Sequence, residues 1–372
     1  MDNFQFATIF MNNRKKLNVT QEDIARFMGV SRAAVSKWEK GQSYPDISIL
    51  PKLATYFNVS IDELLGYKPQ LTNERIMNMY EELARRFSKE PFEEVDRTIE
   101  LLIEEYYSCF PFLLKMAQLY VNYFNKADDK EQVTKKIQGL CIRVKEFSGD
   151  YKLTNEANLL EALTYILKGE PQQVLELLGE DAIIQLGNEQ LIATAQMMLG
   201  NTEKAKEIFQ VNMYQQLLCV ISNASEALML EADNEAYFEQ SVRRIETMIE
   251  TFNIGKLNAH TALLFYIRAS SGYAAQNNIE QALRCVECYV KICMKINFPL
   301  QLVGDDYFYL LDGWIAREVM LSSQAPRDEE TIRRSIIDGI TNNPMLANVQ
   351  QDVRYKNLIV NLKHHLKLEE EL

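Results

Sequence analysis

The chain has 372 residues, six cysteines and a formal charge of −12 at neutral pH. That length accommodates two or three domains around a sizeable core, and no stretch is apolar for the ~20 residues that a membrane-spanning helix needs. Met1, Asp2 and Asn3 provide no basic cap before an apolar run, so a secretory leader is not expected, and the cysteines are expected as free thiols in a reducing cytoplasm.

The acidity is unevenly spread. Residues 1–68 carry nine Lys/Arg and seven Asp/Glu, a balance of +2, while the remainder carries 31 and 45, a balance of −14. The first segment can approach a polyanion, and the second is pushed away from one.

In chain order, Leu17, Val19 and the helix before them supply a first helix. Thr20 is a good N-cap, and Glu22 and Asp23 suit the positive end of the helix that starts at Gln21. Ile24, Phe27 and Met28 give that helix one apolar face, and Ala25 is small where another helix must pass close. Gly29 can take the left-handed backbone that stops a helix abruptly. Val30 is expected in the core, and Ser31 caps the next helix. Val35 and Trp38, three apart, point inward and leave Arg32, Ala33, Ser36 and Lys37 outside. Ile47, Leu50, Leu53, Ala54 and Phe57 mark a fourth helix, and Ser60 caps a short fifth at Ile61–Leu65. An ordinary helical hairpin shares this shape. The small, turn, cap and apolar positions all falling at their offsets together favour a DNA-reading unit instead.

The stretches TQEDIARFMGVSRAAVSKWEKGQSYPD and LATYFNVSIDELLG make residues 4–66 resemble the Cro/repressor-type (XRE) helix-turn-helix domain. The resemblance implies a five-helix, lambda-repressor-like fold on double-stranded operator DNA. Under it, Gln21 and Lys40 would meet phosphates, Arg32, Ala33 and Lys37 would face bases, Ser36 would sit at the base–backbone margin, and Ser31 is a further DNA-binding candidate. It also implies an Arg14–Glu39 pair behind the recognition helix. The loop Gln42–Asp46 lacks the arginine with which some members of that family probe the minor groove.

Residues 69–73 read as a short linker, with Pro69 inside it and Thr72 and Asn73 as caps for the sixth helix. From 74 to 372 apolar residues recur at three and four spacing, which predicts an all-α body. The expected helices are 74–88, 92–107, 111–126, 130–147, 154–168, 171–178, 188–199, 203–231, 235–252, 257–276, 279–297, 305–321, 329–342 and 353–368. The closing Glu369–Glu371 reads as a solvated end.

Three helix junctions share one offset pattern: Ala162, Tyr165, Gly169, Val174, Leu178; Ala193, Gln196, Gly200, Ala205, Phe209; and Ser270, Tyr273, Asn277, Ala282, Val286. Small residues let antiparallel helices touch, and the Gly or Asn ends the first of each pair. The pattern resembles the tetratricopeptide (TPR) repeat, which implies an α-solenoid with a concave groove. The repeat offsets nominate Leu159, Leu163, Gln190, Thr194, Met197, Ile267 and Ser271 as groove lining, although any of them could equally be core.

Cys285, Cys288 and Cys293 form a C-x₂-C-x₄-C cluster on an expected helix. A zinc site needs a fourth ligand and none is near in sequence, so packing is the simpler reading and no metal or cofactor is expected. His260, His364 and His365 read as surface or core residues rather than ligands. No phosphate-binding glycine loop, zinc-protease helix or G-x-S-x-G motif is present, so no enzyme is expected.

Head and body together resemble the Gram-positive cytoplasmic regulators that sense signalling peptides (the RRNPP group). That resemblance implies a homodimer whose body binds a signalling peptide or protein and changes how two heads are presented. The alternative is a DNA-tethered interaction scaffold with no small ligand.

Overall fold

The computed structural model describes residues 6–67, 70–182, 187–317 and 327–368. The chain forms two units, residues 1–71 with 103–109, and residues 72–102 with 110–372. Lys68 and Pro69, in the expected linker, lie outside the described residues, as do Glu369–Glu371. Segment 103–109 is held to the chain leaving the head. Gln70 Nε2 donates to the Ser108 carbonyl at 2.9 Å, and the Leu71 N–H reaches Cys109 Sγ at 3.5 Å. Nothing local in the sequence announces this tie.

The small unit contains α1 (Phe6–Lys16), α2 (Gln21–Met28), α3 (Arg32–Glu39), α4 (Leu50–Phe57) and α5 (Ile61–Leu65). Each boundary has a chemical cause. Thr20 and Ser60 form reciprocal capping boxes with Asp23 and Glu63, and Ser31 Oγ accepts the Ala34 N–H. Gly29, Asn58 and Gly66 are left-handed at the ends of α2, α4 and α5. Phe10 lies at the centre of the core, edge-on to Trp38 (5.9 Å) and to Phe57 (5.3 Å), with Ile24, Val35, Leu53 and Leu64 around it.

Three apolar residues fall outside the expected pattern. Phe27 is 51% exposed and lies against Tyr56 with ring centroids 4.6 Å apart, beneath the Lys52 ammonium. Ile47 is 81% exposed and precedes α4, in a turn where Asp46 Oδ1 accepts the Ser48 N–H. Leu17 lies beyond the last residue of α1 and is also exposed. Helical spacing picks out one stripe, but it does not say how much of that stripe a small core can cover.

All regular elements among the described residues of the large unit are helices. They begin with α6 (Asn73–Lys89), α7 (Phe92–Glu105), α8 (Phe110–Tyr123), α9 (Lys130–Phe147) and α10 (Tyr151–Lys168). Next come α11 (Pro171–Leu178), α12 (Asn188–Met198), α13 (Thr202–Leu230), α14 (Glu235–Thr251) and α15 (Ile254–Leu257). The last are α16 (Ala259–Ala275), α17 (Ile279–Cys293), α18 (Leu311–Ile315), α19 (Glu329–Thr341) and α20 (Val353–His365). α8, α9 and α10 pack on one another, and α16 is covered by α13 and α17. Gly272 on α16 is required by packing, because a Cβ there would lie 2.3 Å from the Phe238 ring on α14.

At the three patterned junctions the turn residues Gly169, Gly200 and Asn277 are all left-handed. Each junction makes the same pair of bonds. Gly169, Gly200 and Asn277 donate three residues back, and Glu170, Asn201 and Asn278 donate five residues back, to Tyr165, Gln196 and Tyr273. This Schellman geometry turns α10 onto α11, α12 onto α13, and α16 onto α17. The small positions Ala162, Ala193, Ser270, Ala205 and Ala282 are buried.

The expected helix 305–321 is mostly absent. Asp305 Oδ1 accepts the N–H groups of Tyr307 and Phe308, and Asp312 Oδ1 accepts that of Gly304, so the backbone turns and only α18 is helical. Residues 318–321 of that expected helix lie outside the described residues.

Candidate nucleic-acid interface

α3 has a sealed side and an open side. Val35 and Trp38 are buried, whereas Ser31, Arg32, Ala33, Lys37 and Lys40 are exposed and Ser36 is half-buried. The helix is short because both ends are fixed, by the Ser31 cap and by Lys40, whose N–H closes on the Ser36 carbonyl. Arg32, Lys37 and Lys40 have no ion pair among the described residues, so their charge is available to an incoming anion.

Behind this face, Arg14 Nε donates to Glu39 Oε1 at 2.5 Å and Nη2 to Oε2 at 3.3 Å, while Nη1 donates to the Val19 carbonyl at 2.9 Å. The pair ties α1 to the last turn of α3. Its side chains are 17% and 8% exposed, so it is shielded rather than dry. Gln21 Nε2 also donates to Glu39 Oε2, at 2.7 Å. Burial pushes the Glu39 carboxyl up, but hydrogen bonds from Arg14 and Gln21, with the charges of Arg14 and Lys15, outweigh it and hold Glu39 below its ordinary value.

Gln21 therefore has one amide N–H committed inward and one still available. The sequence missed this bond because residues 21 and 39 are linked by no local spacing. At the same helix end, Thr20 Oγ1 takes the Asp23 N–H, which leaves the N–H groups of Gln21 and Glu22 without intrahelical acceptors.

The body residues expected to line a groove are dispersed. Leu159 and Leu163 are exposed on α10, which packs on α8, α9 and α11. Gln190, Thr194 and Met197 are exposed on α12, which packs on α13. Ile267 on α16 lines a cavity of about 580 Å³. Ser271 lines nothing open. It is buried, its hydroxyl donates to the Ile267 carbonyl, and it accepts Asn343 Nδ2 at 2.9 Å. The segment around Asn343 covers the face that the repeat offsets treat as empty.

The cysteine cluster is a packing feature of α17. Cys285 and Cys293 are fully buried and Cys288 is half-buried. Burial pushes Cys293 up to about 12 and raises Cys285 and Cys288 as well, so all three are protonated thiols at neutral pH.

Comparison with known proteins fits the geometry of the head. The helix-turn-helix family model HTH_3 matches residues 11–64. The chain is 31% identical over 93 residues to the cryptic phage CTXphi transcriptional repressor RstR of Vibrio cholerae, covering 25% of this chain and 79% of RstR. The chain belongs to the helix-turn-helix family of transcriptional regulators. This regulator is also 39% identical over 51 residues to an uncharacterised HTH-type transcriptional regulator of Methanocaldococcus jannaschii, 14% of this chain and 77% of that one. It is 46% identical over 55 residues to the HTH-type transcriptional activator BcrR of Enterococcus faecalis, 15% of this chain but only 27% of BcrR. These relatives include an activator and a repressor by name, so the family spans both signs of control. No solved structure matches the regulator. Among the described residues, no helix is long and apolar enough to cross a membrane.

Proposed function

We propose that the regulator binds a specific double-stranded DNA operator by seating α3 in the major groove. Arg32, Ala33 and Lys37 then face base edges, and Ser31, Ser36, Lys40 and the N-terminus of α2 at Gln21 hold the phosphates. The observation that carries this is the one-sided α3, with unpaired cations outward and Val35 and Trp38 fixed behind them. Affinity for any DNA should fall steeply with salt, because each neutralised phosphate releases counterions. Lys40→Ala should weaken binding to all sequences alike and reduce the log–log salt slope by about 1. A slope unchanged by Lys40→Ala, measured by fluorescence anisotropy from low to moderate salt, would remove Lys40 from the backbone contacts.

The body is proposed to pair two copies in the cytoplasm through the outer surface of α10–α13. α11 buries none of its residues and α12 buries only Ala193. Leu163, Ile166, Leu191, Met197, Met198 and Leu199 are all exposed there. Helices this short are not stable in water without tertiary cover, and a run of apolar residues of this extent favours a partner surface. A second copy suits it, because operator half-sites about 34 Å apart require two heads. Leu163→Glu with Met198→Glu is expected to convert dimer to monomer in light scattering and to reduce operator affinity. A wild-type chain that is already monomeric would favour the alternative, a DNA-tethered scaffold whose α10–α13 face holds a different protein. Under the dimer reading the body also senses a peptide or protein, a reading that the cavity beside Ile267 supports.

A further inference from the structure

The cavity of about 580 Å³ is lined by α15, α16, α17 and α19, by Asn122 of α8 and by the segment 296–302, and it is partly open to solvent. Its size lies in the range of about 300–1,000 Å³ typical of small-ligand sites. Its walls are largely apolar, with Leu263, Ile267 and Ile336 among them. Its charged lining has one sign. Lys256 and Arg327 face it, His260 lies there with its charged form disfavoured by burial and by Arg327, and no Asp or Glu is among its described lining residues. That bias stands out in a part of the chain where acidic residues outnumber basic ones 45 to 31.

Two of its three lining amides, all but Gln301, are already engaged. Asn122 Nδ2 donates to the Tyr80 hydroxyl at 2.8 Å, and Asn258 accepts the Thr261 N–H and donates to the Tyr214 hydroxyl. Lys256 and Arg327 have no ion pair among the described residues. The start of α16, at Ala259 and His260, also lines the cavity and adds N–H groups that no intrahelical carbonyl can accept. The charge left over is therefore cationic, with the Gln301 amide and the Ser335 hydroxyl as neutral polar groups beside an apolar chamber.

We infer that this cavity is a binding site for an apolar chain ending in a carboxylate, with Lys256 and Arg327 taking the carboxylate and the walls around Ile267 and Ile336 taking the chain. The inference rests on the ligand-sensing reading of the body and gives that reading a site and a chemical class. A short apolar peptide with a free C-terminus and a medium-chain fatty acid both present this chemistry.

The test is calorimetric titration of the full-length chain with acetyl-Leu-Val-Leu as the free acid, with the same tripeptide as its amide, and with decanoate and decanol. The acids are expected to bind at least tenfold more tightly than their uncharged counterparts. Lys256→Gln with Arg327→Gln should erase that difference, and Leu264→Trp, which fills the cavity from an exposed lining position, should weaken both acids. Whichever acid binds tighter identifies the source. Equal binding of acid and neutral probes, a preference that survives the double substitution, or no binding by any probe would each overturn the assignment. Operator affinity is read separately with the bound acid. A cavity that takes the carboxylate without changing DNA binding would sink the sensing reading and leave this one standing.

Discussion

Alanine at both Arg32 and Lys37 is expected to erase the regulator's preference for its operator over scrambled DNA while leaving the fold intact. A good base contact discriminates by about 1–3 kcal/mol, so losing two should reduce specificity by about 30-fold or more. Both side chains are exposed and unpaired, so stability should change by no more than ~0.5 kcal/mol. Competition binding against a random-sequence duplex measures the first effect and urea denaturation the second. Retained preference in a folded double variant would show that some other surface reads the sequence. Residual binding to all DNA alike is expected, because Lys40 and the N-terminus of α2 remain.

Arg14→Ala is expected to destabilise the head by about 3 kcal/mol, the lower end for breaking a shielded pair from one side. Glu39 would keep Gln21 but lose the guanidinium, and the Val19 carbonyl would lose its donor. The same substitution should change the response to acid. The folded-state value of Glu39 lies below the ordinary 4.5, so its ionised form stabilises the head above about pH 4.5. That contribution is lost as pH falls through the depressed value. In Arg14→Ala it should be largely gone already, and the stability difference between the two proteins should shrink as pH drops below 4.5. The chain has two tryptophans, so Trp314→Phe leaves Trp38, in the head core, as the only indole reporter. Equal urea midpoints for parent and Arg14→Ala at neutral pH would mean that the pair holds nothing together.

The features legible in sequence were those with a local cause. Gly29, Gly169, Gly200 and Asn277 could be identified as turns because few residues adopt positive φ cheaply, and all four are left-handed. Caps at Thr20, Ser31 and Ser60 were legible because their partners lie three residues away. The readings that local spacing left open depended on distant partners. Ser271 satisfies the repeat offsets, but whether it faces a groove depends on Asn343, 72 residues on. Leu159 and Leu163 satisfy the apolar spacing of a lining helix, yet no local rule tells a lining position from one awaiting a second molecule. The bond from Gln21 to Glu39 was hidden for the same reason. The turn that replaces 305–310 of the expected helix was readable in principle, because Asp305 and Asp312 are residues that compete for backbone N–H groups.

The brevity of α3 limits how much information one head can extract. Eight residues rise about 12 Å, which spans roughly three or four base-pair steps at about 3.4 Å each. A four-letter word recurs by chance about once in 250 base pairs, far too often to single out one address among the ~10⁶ or more competing positions of a genome. Two such words at fixed separation recur about once in 65,000, and their combined mismatch penalties multiply the discrimination. An association through α10–α13 would thus supply vocabulary as well as grip, and a change in head spacing would garble the address without altering a single letter.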